Sequence, residues 1–299
     1  MALVSMRELL DHAAVNGYGI PAFNVNNLEQ VQAVMMAADE VGAPVILQAS
    51  AGARKYAGEP FIKHLIQAAT EQWPHIPLVM HQDHGTSPKV CEGAINLGFG
   101  SVMMDGSLLE DGKTPSAFDY NVDVTRRVVE MAHLQGVSVE GELGFVGYAA
   151  GVGRSGAPSL GTDPAEVAQF AAQTRVDALA ISVGNSHLMT EVGAQIDWPR
   201  LHAIQAAVPT LPLVLHGGSG LDHAVRAKLA LETNVCKFNI GTELRQAFGA
   251  ALRDSLARDP ARFDRIQILR DTIDPVSQAT RRALSSLGPA PMVAGSGRN

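Results

Sequence analysis

The sequence predicts a (β/α)8 barrel with extra N- and C-terminal helices. Short apolar runs of β type alternate with segments of helical period along the chain, the pattern of parallel βα units. Eight such runs occur in 299 residues, and a barrel of this kind takes roughly 250. Glycine (29) and proline (16) are dispersed rather than pooled in a linker, so one domain over residues 1–287 is expected. A doubly wound sheet is the alternative, but no G-x-G-x-x-G follows the first run. Residues 288–299, GPAPMVAGSGRN, read as a flexible tail.

In order, a helix over Ser5–His12 precedes the first strand, Gly19–Asn24. Strands follow at Pro44–Gln48, Pro77–Gln82, Ser101–Asp105, Val137–Gly141, Ala178–Val183, Leu213–His216 and Lys237–Ile240. Helical stretches lie between them, at Leu28–Val41, Pro60–Gln72, Lys89–Leu97, Val122–Leu134, Pro164–Gln173, Pro199–Ala207 and Asp222–Leu231. Thr242–Arg258 follows the last strand and Pro275–Ser285 closes the chain. Asp163-Pro164 and Asp197-Trp198-Pro199 each place a proline in the first turn after an acidic cap.

Composition narrows the function. The net charge of −7 argues against a nucleic-acid surface, which needs a basic patch. No apolar run of about 20 residues would span a membrane. The start, MALVSMRELLDHAA, lacks the basic region of a signal peptide. Two cysteines cannot build a disulfide framework, so a reducing cytoplasm is expected. Ten histidines leave a histidine-based catalytic metal site open while a cysteine-rich structural site is excluded.

Barrel enzymes place their chemistry at the C-terminal ends of the strands. The polar residues there are Asn24, Gln48, Ser50, Asp83, His84, Asp105, Glu140, Glu142, Asn185, His187, His216 and Asn239. Turn residues are common at such places, but histidine is not. His84, His187 and His216 end the third, sixth and seventh strands, and three imidazoles with an open fourth position form a catalytic zinc site. Any one of them alone reads better as structural; three at equivalent ends do not. His81 and the remaining six histidines read as structural or surface residues. Asp83 beside His84 is either a base or an orienting carboxylate. Asp105 and Glu142 pair oxygens suited to a second cation, a hard or a monovalent ion such as Na⁺ or K⁺, or else hydrogen-bond to strand-end backbone. Glu140 has the weaker case.

The turn His216-Gly217-Gly218-Ser219-Gly220 and the turn Asn239-Ile240-Gly241-Thr242 follow strands seven and eight. Loops at these two places often bind phosphate with backbone N–H groups and a helix N-terminus. A metal, a carboxylate and a phosphate cradle together suggest enolate chemistry. Schiff-base chemistry needs a desolvated lysine. Of six lysines, five lie in loops or helices, and Lys237 begins strand eight, away from its C-terminal end.

These residues resemble the class II, metal-dependent ketose-bisphosphate aldolases, especially the fructose-bisphosphate branch associated with the Calvin cycle. The resemblance runs over most of the chain, through YGIPAFNVNNLEQ, PVILQASAGARKYAG, MHQDHG, SVMMDGS, VSVEGELG, VDALAISVGNSH, LHGGSG and KFNIGTELR. It implies a TIM barrel working as a homodimer or homotetramer, with zinc on His84, His187 and His216 and proton transfer by Asp83. It implies a second cation position at Asp105 and Glu142. It places Gly217, Gly218, Ser219, Asn239, Gly241 and Thr242 around dihydroxyacetone phosphate, and Asn24, Gln48 and Ser50 on the substrate side.

Two departures stand out. The family's mobile loop carries a catalytic glutamate where Ala150 stands here, and no Asp or Glu occurs from Leu143 to Thr162. The general acid for the aldehyde oxygen then falls to another residue, of which Tyr148 is a candidate, or to water. After His187 the family's glycine and phosphate-site lysine are replaced by Leu188-Met189-Thr190-Glu191. The expected function is reversible cleavage of a ketose phosphate, by default fructose 1,6-bisphosphate, to dihydroxyacetone phosphate and an aldehyde. Tagatose bisphosphate or a ketose 1-phosphate is the alternative substrate. A paralogue that binds metal and ligand with weakened catalysis is the alternative class.

Overall fold

The computed structural model describes residues 3–149 and 160–288. Eight parallel strands close into a barrel in chain order. They are β1 (Ile20–Asn24), β2 (Val45–Gln48), β3 (Leu78–Gly85), β4 (Ser101–Met104), β5 (Ser138–Leu143), β6 (Ala178–Ile181), β7 (Leu213–Leu215) and β8 (Val235–Ile240). β8 closes the barrel on β1, with Asn239 opposite Ala22. Helix α1 (Met6–Asn16) precedes the barrel. The outer ring runs α2 (Leu28–Val41), α3 (Ala51–Ala57), α4 (Glu59–Gln72), α5 (Pro88–Asn96), α6 (Phe118–His133), α7 (Pro164–Thr174), α8 (Trp198–Ala207), α9 (His223–Glu232) and α10 (Thr242–Arg258). Helices α11 (Arg265–Arg270) and α12 (Ile273–Ser285) follow.

The architecture is the one expected, and the differences are local. Helix α3 was not anticipated; Ser50 caps it by accepting from the Ala53 N–H at 3.2 Å. Helix α11 is likewise capped by Asp264, which accepts from the Ile266 N–H. β3 and β5 run on to Gly85 and Leu143, beyond the expected Gln82 and Gly141. β7 stops at Leu215, before His216, because the chain turns at Gly217 with φ 67°. Gly288 is the one residue of the expected tail within the described range.

Alternate residues of a strand face opposite sides, so each strand supplies one apolar set to the helices and one set to the barrel lumen. The outward set, with Phe23, Leu47, Val102, Leu179 and Phe238, packs under the helices. The inward set begins with Ile20, Ala22, Ile46, Val79, Met103, Ala178, Ala180 and Val214, which form one cluster with Met6, Leu9, Leu10 and Ala13 of α1. Helix α1 therefore packs against the lower barrel interior. Two residues past Ala22, Ile46, Val79 and Val214 the same inward phase carries the polar groups Asn24, Gln48, His81 and His216, and β5 adds Glu140.

Cys91 and Cys236 are buried and unpaired by disulfide. Burial pushes both thiols up to about 12. Neither will react with a thiol reagent in the native protein at pH 8, whereas both will after denaturation. Native-state labelling at the rate of a free thiol would contradict this burial.

Candidate active site

Asp83 and His84 are neighbours in a strand, where regular geometry would send them to opposite faces. The β3–β4 register runs His81 to Ser101 and Gln82 to Val102, then shifts so that Gly85 faces Met104. Within that irregularity His84 takes φ 43°, a left-handed conformation uncommon for a residue with a side chain. Both side chains thereby share the barrel mouth, with His84 Nε2 3.8 Å from Asp83 Oδ1.

His84, His187 and His216 each offer a ring nitrogen, and these nitrogens lie within 4.8 Å of one another. The ring centroids are 5.1, 4.8 and 5.4 Å apart. His187 is fixed by backbone pairing with the segment after β5: its N–H donates to Gly147 at 2.8 Å, and its carbonyl accepts from Ala149 at 2.9 Å. That pairing sets the Tyr148 ring 5.3 Å from the His187 ring. Ala150 lies outside the described residues. Asn185 anchors the end of β7 by donating to the His216 carbonyl at 3.0 Å.

Carboxylates decide which nitrogen each ring presents. Glu140 Oε1 faces His216 Nε2 at 3.0 Å. Burial pushes the Glu140 carboxyl up, but Lys237 and His216 outweigh it and hold the group below the usual range. An ionised carboxylate only accepts, so Nε2 carries the proton and Nδ1 keeps its lone pair. Asp105 Oδ2 does the same for His84 Nδ1 at 3.0 Å, which leaves His84 Nε2 free to ligate. Burial holds the His216 pKa down, and burial together with His84 holds that of His187 well down, which favours neutral rings. His84 differs: burial works against its charged form, but Asp83, Asp105 and Glu142 outweigh it and raise its pKa. The pocket therefore favours positive charge at that point.

The residues fit a metal. His216 Nδ1 and Glu142 Oε2 are buried with no hydrogen-bond partner, 3.4 Å apart, and a cation would satisfy both. His84, Asp105 and Glu142 form a second group with ligand atoms within 4.8 Å. Ser107, unnoticed in the sequence, donates to Asp105 Oδ1 at 2.6 Å and also to Glu142 Oε1 at 3.4 Å. Burial and the adjacent Asp105 push the Glu142 carboxyl well up, as expected of two acids sharing a dry site.

Asp83 is held by amides. Asn24 Nδ2 donates to its Oδ2 at 2.7 Å and Asn239 Nδ2 to its Oδ1 at 3.3 Å. Gln48 donates to Asn24 Oδ1 at 3.1 Å. Gln48 is fully buried, so it supports Asn24 within the barrel instead of facing a substrate. Burial pushes the Asp83 carboxyl up, but His84, His216 and Lys237 prevail and hold it at about 2.

The two glycine turns adjoin this mouth. A Cβ at Gly217 would stand 2.0 Å from the Ser186 carbonyl oxygen, and φ 67° there favours glycine. Arg226, 1% exposed, braces the turn: its Nε donates to the Gly218 carbonyl at 3.0 Å and it pairs with Glu243 at 3.0 Å. Ser219 Oγ accepts from the Glu243 N–H at 3.3 Å, tying the first turn to α10. A Cβ on Gly241 would meet Asn24 Oδ1 at 2.9 Å and Arg245 Nη1 at 3.3 Å, so this glycine lets the backbone approach the mouth. Arg245 also donates to Thr242 Oγ1 at 3.3 Å. Neither arginine stood out in the sequence; Arg245 brings a cation to the cradle. Glu191 is exposed.

The family profile described as "Fructose-bisphosphate aldolase class-II" matches residues 4–290. The chain belongs to this family. It is 51% identical over 300 residues to a fructose-bisphosphate aldolase of Stutzerimonas stutzeri, covering 88% of this chain and 85% of that one. It is 49% identical over 310 residues to one from Pseudomonas aeruginosa, covering 92% and 88%. Each alignment spans more positions than this chain contributes residues, so these relatives carry internal stretches that it lacks. Among solved structures, the YdjI aldolase of Escherichia coli K12 superimposes with a TM-score of 0.80 at 27% identity, over 96% of this chain and 98% of that one.

The donor set makes a direct prediction. Zinc will raise the melting temperature of the metal-free protein, since a ligand at 100 times its Kd stabilises by about 2.7 kcal/mol. His84→Ala will abolish that shift. An unchanged zinc-dependent shift in the variant would place the metal elsewhere.

Proposed function

We propose that the protein catalyses the zinc-dependent, reversible aldol cleavage of fructose 1,6-bisphosphate to dihydroxyacetone phosphate and glyceraldehyde 3-phosphate. The observation that carries this reading is the convergence of His84, His187 and His216 on one point beside a fixed Asp83. Membership of a family of carbon–carbon lyases supports it.

His84, His187 and His216 would hold zinc, which supplies a Lewis acid for the substrate carbonyl. Asp105 and Glu140 hold two of those rings in the ligating tautomer. Asp105 and Glu142, joined by Ser107, would take a monovalent cation, Na⁺ or K⁺. Asp83 takes the C4 hydroxyl proton as the C3–C4 bond breaks, the electron pair stays with the dihydroxyacetone phosphate half, and its C3 then takes a proton from water to complete that product. In condensation Asp83 returns that proton to the aldehyde oxygen, which serves where the loop glutamate is missing. The backbone of Gly217, Gly218 and Gly241, with Ser219, Asn239 and Thr242, binds the phosphate of dihydroxyacetone phosphate, and Arg245 adds the charge that the missing lysine would bring. Ser50, just past the end of β2, would face the substrate. No helix among the described residues is long and apolar enough to cross a membrane; we place the enzyme in the cytoplasm as a homodimer or homotetramer.

The test is aldehyde release by the zinc-loaded protein from fructose 1,6-bisphosphate, tagatose 1,6-bisphosphate and a panel of ketose 1-phosphates. Turnover of the first is expected. Turnover only of another member would reassign the substrate, and tight zinc binding with no turnover would sink the enzyme reading. Asp83→Asn should lower kcat by about 10²–10⁴-fold with zinc affinity retained.

A further inference from the structure

We propose that Lys237 is a positioning residue that couples the metal ligands to the proton-transfer carboxylate. This rests on the site reading above and deepens it. Lys237 lies on β8, two residues before Asn239, so both side chains face the lumen. Its side chain and that of Glu140 are each 0% exposed. Lys237 Nζ stands 2.9 Å from Glu140 Oε2 and donates to Asn239 Oδ1 at 2.6 Å.

Two arms leave this one ammonium. Along the first, Lys237 fixes Glu140, whose other oxygen accepts from His216 Nε2 at 3.0 Å and so turns His216 Nδ1 toward the histidine trio. Along the second, Lys237 takes the carbonyl oxygen of the Asn239 amide. The amide nitrogen must then face Asp83, to which it donates at 3.3 Å. An amide flipped the other way would set its oxygen against the carboxylate. His81, whose Nε2 lies 3.6 Å from Glu140 Oε2 and whose Nδ1 meets Ser101 Oγ at 2.8 Å, fills the remaining side. A pair of apolar residues would fill this space at lower cost than two desolvated charges, so stability alone does not account for the pair. A Schiff-base role does not fit an ammonium sealed beneath the mouth between two fixed oxygens.

The experiment uses two readouts on the purified protein: zinc affinity, by competition with a chelator, and kcat for cleavage at saturating zinc. Glu140→Gln cuts the first arm and should weaken zinc binding about 10–100-fold. Asn239→Ala cuts the second and should lower kcat about 10²-fold or more while zinc affinity is kept. Lys237→Met should show both defects. Two double-mutant cycles then decide. Lys237→Met should cost no further zinc affinity in the Glu140→Gln background and no further kcat in the Asn239→Ala background. Additive losses in both cycles, or a Lys237→Met variant with only one defect or none, would overturn the proposal. Should Lys237→Met fail to fold with Glu140 left unpaired, the uncharged double variant Lys237→Met/Glu140→Gln is compared with Glu140→Gln. It must show lower kcat at equal zinc affinity, and equal kcat would refute the coupling. Wild type is the control for the underlying reading: if it neither binds zinc nor turns over, that reading fails and not this inference alone.

Discussion

A lysine and a glutamate buried together in the lumen constrain everything above and below them. Removing one member of such a pair typically costs about 3–5 kcal/mol, because the other is left charged and desolvated. The pair survives because its surroundings are complete. Below it, α1 and the apolar inward residues exclude water. Above it, Glu140 Oε1 is turned toward His216, and Lys237 Nζ toward Asn239 and through it Asp83. The order of apolar plug beneath charged layer follows from the two-residue period of the strands; the ligands above them also need the β3 bulge and the pairing that holds His187.

The β3 bulge is the second device. It spends a left-handed conformation at His84 to place two consecutive side chains on one face. The unbulged alternative would leave either the carboxylate or the imidazole in the helix layer. The glycine turns after β7 and β8 serve the complementary purpose. At Gly217 and Gly241 a side chain would collide with Ser186 or Asn24, so the backbone itself closes on the mouth. Arg226 then holds the first of these turns from beneath, at Gly218.

Much of this was legible. Alternating apolar runs gave the strands to within a few residues, and strand-end position picked out His84, His187, His216, Asp83, Asp105 and Glu142. What escaped has physical reasons. The bulge at Asp83–His84 depends on pairing with β4, which no local signal announces. Helix α3 follows the strand-end Ser50 with only seven residues, too few for a clear period. Lys237 sits at the start of a strand, away from the mouth, and only its phase with Asn239 marks it as inward-facing. Glu140 shares the phase of Glu142 and was legible by the same rule. Ser107, Arg226 and Arg245 reach the site from a loop and two helices, so only tertiary packing reveals them.

In the proposed site carboxylates orient His84 and His216, backbone pairing holds His187, and the three imidazoles would ligate one metal. X-ray absorption at the zinc edge of the loaded protein tests it most directly. One zinc per chain is expected, with three imidazole ligands, completed by oxygen and with no sulfur. A shell with fewer than three imidazoles, or one containing a thiolate, would contradict it.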